Sequence, residues 1–180
     1  MSPERREKRF ILDIGCGLFP WPARGKMKAG YGPGAPYRRL ARNEHYIGVD
    51  EDPRALHSAA GALKHSRWGR RFARRVHLLQ ASALHHLPFA DASMHEVHLH
   101  SMNDPRVFAK VIPEAARVLK PDGQLLLSAE SRIITLEKVL DLARGHFRPA
   151  GQTTDPRRIA AYTLQGNDYL VTLRKPSPGK

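Results

Sequence analysis

Phe10-Ile11-Leu12-Asp13-Ile14-Gly15-Cys16-Gly17 is an apolar run that carries one acid and then turns on two glycines. The apolar residues around a single carboxylate read as a buried strand, and the glycines after it let the backbone approach a ligand with no Cβ in the way. Open α/β sheets place ligands at the carboxyl end of such a strand. One chemistry with this shape is the dinucleotide fingerprint Gly-x-Gly-x-x-Gly, whose third glycine lets the helix pack closely on the strand. Counted from Gly15, that place is Pro20, followed by Trp21 and Pro22. A glycine-tight helix start is therefore broken, which counts against a nucleotide-dependent oxidoreductase.

Three further stretches carry information. His45-Tyr46-Ile47-Gly48-Val49-Asp50-Glu51-Asp52-Pro53 is a second strand ending in acids, with Pro53 suited to the first turn of a helix. A carboxylate there accepts hydrogen bonds from both hydroxyls of a ribose, and Asp50 is the candidate. Glu51 and Asp52 are read as capping and charging the following helix. The third stretch runs from Leu78-Leu79-Gln80-Ala81-Ser82-Ala83-Leu84-His85-His86-Leu87-Pro88-Phe89-Ala90-Asp91 to Met94, then Glu96-Val97-His98-Leu99-His100. The fourth, Ala115-Ala116-Arg117-Val118-Leu119-Lys120-Pro121-Asp122-Gly123 followed by Gln124 to Ser128, reads as a helix stopped by Pro121, a turn through Asp122-Gly123 and a buried strand.

Together these stretches resemble the class I S-adenosylmethionine-dependent methyltransferases. The first resembles that family's Asp/Glu-x-Gly-x-Gly motif. The third is similar to its Gly-Asp-Ala-x-x-Leu-Pro-Phe-x-Asp-x-Ser-Phe-Asp segment, with Met94 and Glu96 as departures, and the fourth is similar to Arg-Val-Leu-Lys-Pro-Gly-Gly. The resemblance implies S-adenosyl-L-methionine as cofactor. Its methionine moiety would lie on the loop Gly15, Cys16 and Gly17, with Asp13 bonding the loop or, through water, the cofactor's ammonium. The family's adenine-contacting Asp is replaced here by Ser82, so adenine is expected on apolar side chains and backbone amides near Ala83 and Leu84. Methyl transfer needs in-line orientation of a nucleophile, and a hydroxyl acceptor favours a base. His100 and Asp104, just past the fourth strand, are the candidate catalytic residues.

The expected fold is α/β: a doubly wound, mostly parallel Rossmann-like sheet, with strands near 9–15, 45–50, 76–82, 96–100 and 124–130 alternating with helices. Tyr162-Thr163-Leu164 and Tyr169-Leu170-Val171-Thr172-Leu173 flank Gly166-Asn167 and read as a closing antiparallel hairpin. The 180 residues suit one domain, 1–180, with loose termini at 1–8 and 175–180 and without the N-terminal helices that close over substrate in many small-molecule methyltransferases. Between Gly17 and Asp50 the chain is longer than a nucleotide-binding βαβ unit needs. This Gly/Pro-rich insert, 18–36, reads either as a lid or as a passive loop, with helix character only over Tyr37 to Asn43.

Thirty Lys and Arg against seventeen Asp and Glu leave a net charge of +13. The excess is clustered at Arg5, Arg6, Lys8 and Arg9, at Arg24, Lys26 and Lys28, at Arg38, Arg39 and Arg42, and at Arg67, Arg70, Arg71, Arg74 and Arg75. Such clusters suit phosphate backbones, and Trp68 and Phe72 among them suit base stacking, so RNA or another nucleic acid is one candidate acceptor and a small molecule the other. A nucleic-acid substrate would require several clusters beside the cofactor cleft. A non-catalytic cofactor-binding partner subunit of a larger methyltransferase is the second reading of the same motifs. Cys16 is the only cysteine, which excludes intrachain disulfides and fits a cytoplasmic setting. No apolar span suits a membrane helix. His85-His86 and His98-x-His100 lack a third ligand, and no metal is expected.

Overall fold

The computed structural model describes residues 7–16, 40–65, 67–100, 104–154 and 169–177. The strands are β1 (Arg9–Ile14), β2 (Glu44–Asp50), β3 (Val76–Gln80), β4 (Met94–His100), β5 (Leu119–Ala129), β6 (Arg148–Thr153) and β7 (Tyr169–Arg174). They form one sheet in the order β3-β2-β1-β4-β5-β7-β6. The first five are parallel, and β7 runs antiparallel to both β5 and β6. The order reverses between β1 and β4, the topological switch point at which open α/β sheets bind ligands.

Helices cover both faces. α1 (Pro53–His65) begins as its sequence demands, with Pro53 in the first turn and the Asp52 carboxylate accepting from the Arg54 N–H at 2.8 Å. Ala55, Ala59 and Leu63, one turn apart, are its buried stripe. With Phe72 of α2 (Arg67–Phe72), Ala59 and Leu63 cover Ile11, Tyr46 and Val76. The opposite face carries the larger core: Leu12, Ile14, Val97, Leu99, Leu125 and Leu127 pack against α3 (Pro105–Val118) and α4 (Leu136–Ala143). No described helix is long and apolar enough to cross a membrane.

Four expectations are corrected. Residues 81–93 form turns with no helix, because Leu87, fully buried, anchors that stretch directly to the core. The anchor is held by α3: Glu114 accepts the Leu87 N–H at 2.6 Å, while the Arg117 guanidinium donates to the carbonyls of Leu87 and Phe89 at 3.0 and 2.8 Å and to Asp91 at 2.6 Å. The described part of the expected helix 37–43 is a turn, closed by the Glu44 N–H on the Ala41 carbonyl at 3.0 Å. β7 is paired with β5 on one side and with β6, at 148–153, on the other, whereas the expected partner at 162–164 lies outside the described residues. The tail is tied down at Lys175, whose ammonium donates to the carbonyls of Ala116 and Leu119 at 2.6 and 2.7 Å at the end of α3.

The turn at Asp122-Gly123 lies inside β5, where the pairing jumps from Met94↔Leu119 to Glu96↔Gln124. Asp122 takes a left-handed φ of 62°. Gly123 is buried, and a Cβ there would lie 2.8 Å from the Lys120 carbonyl oxygen and 3.2 Å from that of His95. Gly123→Ala therefore has to displace backbone. We expect it to cost about 1–3 kcal/mol in urea unfolding; an unchanged midpoint would show that this bulge yields freely.

Candidate functional site

The carboxyl ends of β1, β2 and β3 lie side by side, and the expected cofactor residues among the described ones lie there. The Gly15 and Cys16 N–H groups both donate to the Val49 carbonyl, at 2.8 and 3.0 Å, which folds the loop after β1 over the end of β2. Gly15 has φ 69°, a conformation that favours glycine. Gly48, which the sequence reading passed over, makes room beneath: a Cβ on it would lie 3.0–3.1 Å from the Cys16 sulfur, Leu78 and Tyr46. Gly17 lies outside the described residues.

Asp13 is buried, at 7% exposure, and accepts a 2.5 Å hydrogen bond from the Tyr46 hydroxyl. Burial pushes its carboxyl above the usual range, opposed by the charge of His98 and by the Tyr46 bond. His98 stands opposite Asp13 on β4. Its Nε2–H donates to Glu96 at 2.5 Å. Burial alone would favour neutral imidazole, but the bond to Glu96 and the Glu96 and Asp13 carboxylates outweigh it and hold His98 above its ordinary value. Cys16 is half-buried; burial, then Asp13 and Asp50, push its thiol up, so it is not a thiolate nucleophile at neutral pH.

At the end of β2, Asp50 Oδ1 accepts the Asp52 N–H at 2.9 Å, which fixes the carboxylate at the rim. Glu51 does not cap α1 as expected: its carboxylate accepts from the Ser82 hydroxyl at 3.0 Å. Ser82 in turn accepts the Leu84 N–H at 3.3 Å and holds the turn after β3. Leu84 is 51% exposed, an apolar side chain in water beside Ala83. A carboxylate thus reaches position 82 from a neighbouring strand, which the spacing of the segment 78–94 could not reveal. His100 closes β4, in register with Ser128. Asp104 caps α3, accepting the Arg106 N–H at 2.9 Å and the Arg106 side chain at 2.7–3.1 Å. The Arg106 side-chain bonds, then its backbone N–H, hold that exposed carboxyl below the usual range, which makes it a weak base.

The described arginine cluster before β3 is not at this end. Arg70, Arg71, Arg74 and Arg75 precede β3, and Arg75 donates to the Ala41 carbonyl just before β2. They lie at the amino ends of the strands, roughly 20 Å from Asp50 along β2. Arg24, Lys26, Lys28, Arg38 and Arg39 lie outside the described residues.

The buried pair Glu96–His98 gives a pH dependence. Glu96 is held low: burial alone would raise it, and the His98 bond and charge prevail. His98, held high, contributes stability in full below its unfolded value, and that contribution fades as pH rises through the folded value. We expect Glu96→Gln to cost roughly 1.5–3 kcal/mol near pH 6 and clearly less near pH 9 in urea unfolding. An equal loss at both pH values would show that His98 is neutral throughout.

A family model described as a methyltransferase domain matches residues 27–123, more than half of the chain. No curated protein matches the sequence. Among solved structures, a SAM-dependent methyltransferase from Methanosarcina mazei superposes with a TM-score of 0.65 at 18% identity, over 95% of this chain and 94% of that one. The cyclase SpnF gives 0.68 at 17% identity, over 94% and 76%. Geranyl diphosphate C-methyltransferase from Streptomyces coelicolor A3(2), solved with Mg2+, geranyl diphosphate and S-adenosyl-L-homocysteine, gives 0.68 at 12% identity, over 93% and 71%. These are likenesses of fold, and one is to a cyclase; the family match, which takes in the loops after β2 and β3, decides the assignment. The chain belongs to the methyltransferase domain family.

Proposed function

We propose that the chain transfers the methyl group of S-adenosyl-L-methionine to a small molecule that meets the cofactor beyond the carboxyl end of β4. The observation that carries this reading is the convergence, at three adjacent strand ends, of a left-handed Gly15, the Asp50 carboxylate and an exposed Leu84. The fit is chemical: a cradle without Cβ for the methionine portion, a carboxylate for the ribose hydroxyls, and an apolar rest for adenine. When bound, the cofactor supplies a methyl group already activated by its sulfonium, so the protein need only orient and desolvate.

The residues divide that task. Asp50 accepts from the ribose hydroxyls. Asp13 lies beneath the loop and presents negative charge to the cationic portion without touching it. Glu51, delivered to Ser82, stands where the resemblance places the adenine-contacting acid and accepts from the adenine amino group. His100, the last residue of β4, serves as base where the acceptor is a hydroxyl. The small-molecule acceptor is supported by the named reaction of the Streptomyces coelicolor enzyme and by the position of Arg70, Arg71 and Arg74 at the far end of the sheet.

In calorimetric titration with S-adenosyl-L-homocysteine, Asp50→Ala should weaken binding by about 1.5–3 kcal/mol in folded protein. Unchanged affinity would move the ribose contact elsewhere. Glu51→Ala should weaken S-adenosyl-L-homocysteine but not S-inosyl-homocysteine, which lacks the amino group; equal losses would remove Glu51 from adenine recognition. With methyl-labelled cofactor and a cell extract, label should appear in the low-mass fraction. Label in RNA or protein would overturn the small-molecule acceptor, and binding without any transfer would leave the partner-subunit reading.

A further inference from the structure

The amino-end rim of the sheet concentrates cations that the cofactor site does not use. The Arg71 and Arg75 guanidinium groups lie over the Phe72 ring, 5.6 and 5.1 Å from its centroid. Arg75 also reaches the Ala41 carbonyl, beside the exposed Arg42. Lys8 and Arg75 both act on His45, which joins the N-terminal segment to the same surface. Arg70 and Arg74 are exposed on the same short helix and turn. None of the described acidic residues pairs with Lys8, Arg42, Arg70, Arg74 or Arg75, whereas Arg106, Arg117, Arg132 and Arg144 each face a carboxylate. The acids nearby have partners of their own: Glu44 accepts from the Ala41 N–H at 2.8 Å and faces Arg9 at 4.0 Å, and Glu7 is bonded by Lys120 at 2.6 Å.

Along the same rim, on the face of the sheet turned away from Phe72, stand three rings, with Lys8 and Arg75 near His45. His45 and His77 stack with planes 10° apart and centroids 5.6 Å apart, joined by a 3.3 Å N–H···N bond. Phe10 continues the row, 5.5 Å from His45. β3, which carries the exposed His77, is the edge strand, so the row opens to water on that side. Guanidinium groups clasp phosphate bidentately, and flat rings on a sheet receive unpaired bases. An acidic protein would use the charge and leave the rings idle.

We infer that this rim, formed by Lys8, Arg42, Arg70, Arg71, Arg74 and Arg75 beside the Phe10–His45–His77 row, binds single-stranded nucleic acid. The surface is separate from the cofactor site, and binding there needs neither cofactor nor methyl transfer.

The test is fluorescence anisotropy of the full chain with a labelled single-stranded RNA of about 12 nucleotides, in a salt series and near pH 8. Combined Arg70→Ala, Arg71→Ala and Arg74→Ala should weaken binding at least about tenfold near 50 mM salt and flatten the log–log salt slope by about 2, at roughly 0.7 per lost phosphate contact. Combined Arg132→Ala, Lys138→Ala and Arg144→Ala removes the same charge beside α4 and should leave binding and slope nearly intact. His77→Ala should weaken binding several-fold with the slope unchanged. Three results would overturn the inference: no binding at low salt, equal losses in the two triple variants, or polyglutamate competing as well as RNA. The affinity for S-adenosyl-L-homocysteine, measured on the same variants, should not move, so failure here and failure of the methyltransferase reading are distinguishable.

Discussion

A carboxylate in the middle of a sheet has to be answered from within the protein, and the arrangement around Asp13 supplies the answer. Tyr46 from β2 gives a hydroxyl at 2.5 Å, and His98 from β4 stands opposite, itself bonded to Glu96. Leaving an ionised group buried without these partners would cost several kcal/mol. The two strands flanking β1 are thus joined to it through side chains as well as through the backbone ladder. Above this row the backbone turns at Gly15, and Gly48 leaves the space into which Cys16, Tyr46 and Leu78 settle. The loop after β1 has its shape because the layer beneath it is already satisfied.

The fold separates charge along the strands. Asp13, Asp50, Glu51 and Asp52 gather at the carboxyl ends, while Lys8, Arg42, Arg70, Arg71, Arg74 and Arg75 gather where the strands begin. A basic surface continuous with the acidic end would pair with those carboxylates. The described arginines lie about a strand length away, and at physiological salt that separation exceeds the screening distance, so the two charged ends act independently.

The central strands were legible because their apolar runs are short, bounded by glycine, proline or acids, and lead into helices with ordinary starting residues such as Pro53 and Pro105. The place of Asp50 at the end of β2 was legible for the same reason. What stayed hidden depends on partners distant in sequence. Glu51 was read as a helix cap because its local surroundings suit one, yet its partner, Ser82, is brought near only by the pairing of β2 with β3. β6, Arg-Pro-Ala-Gly-Gln-Thr, has no apolar alternation and is a strand only because β7 offers it an edge. The missing helix between β3 and β4 was hidden by Leu87, a buried anchor that reads like any other leucine in a turn-rich stretch.

The clamp between Glu114, Arg117 and the Leu87–Asp91 stretch bears on how such sequences diverge. Two segments that read as separate signatures, some twenty-five residues apart, are the two sides of one joint. They are not independent witnesses to ancestry. A lineage that lost the arginine would leave the carbonyls of Leu87 and Phe89 without their donor, and the apolar anchor would lose its advantage at the same moment. Drift should therefore erase both segments together or neither, and a descendant keeping only one would have had to build a helix or another brace in its place.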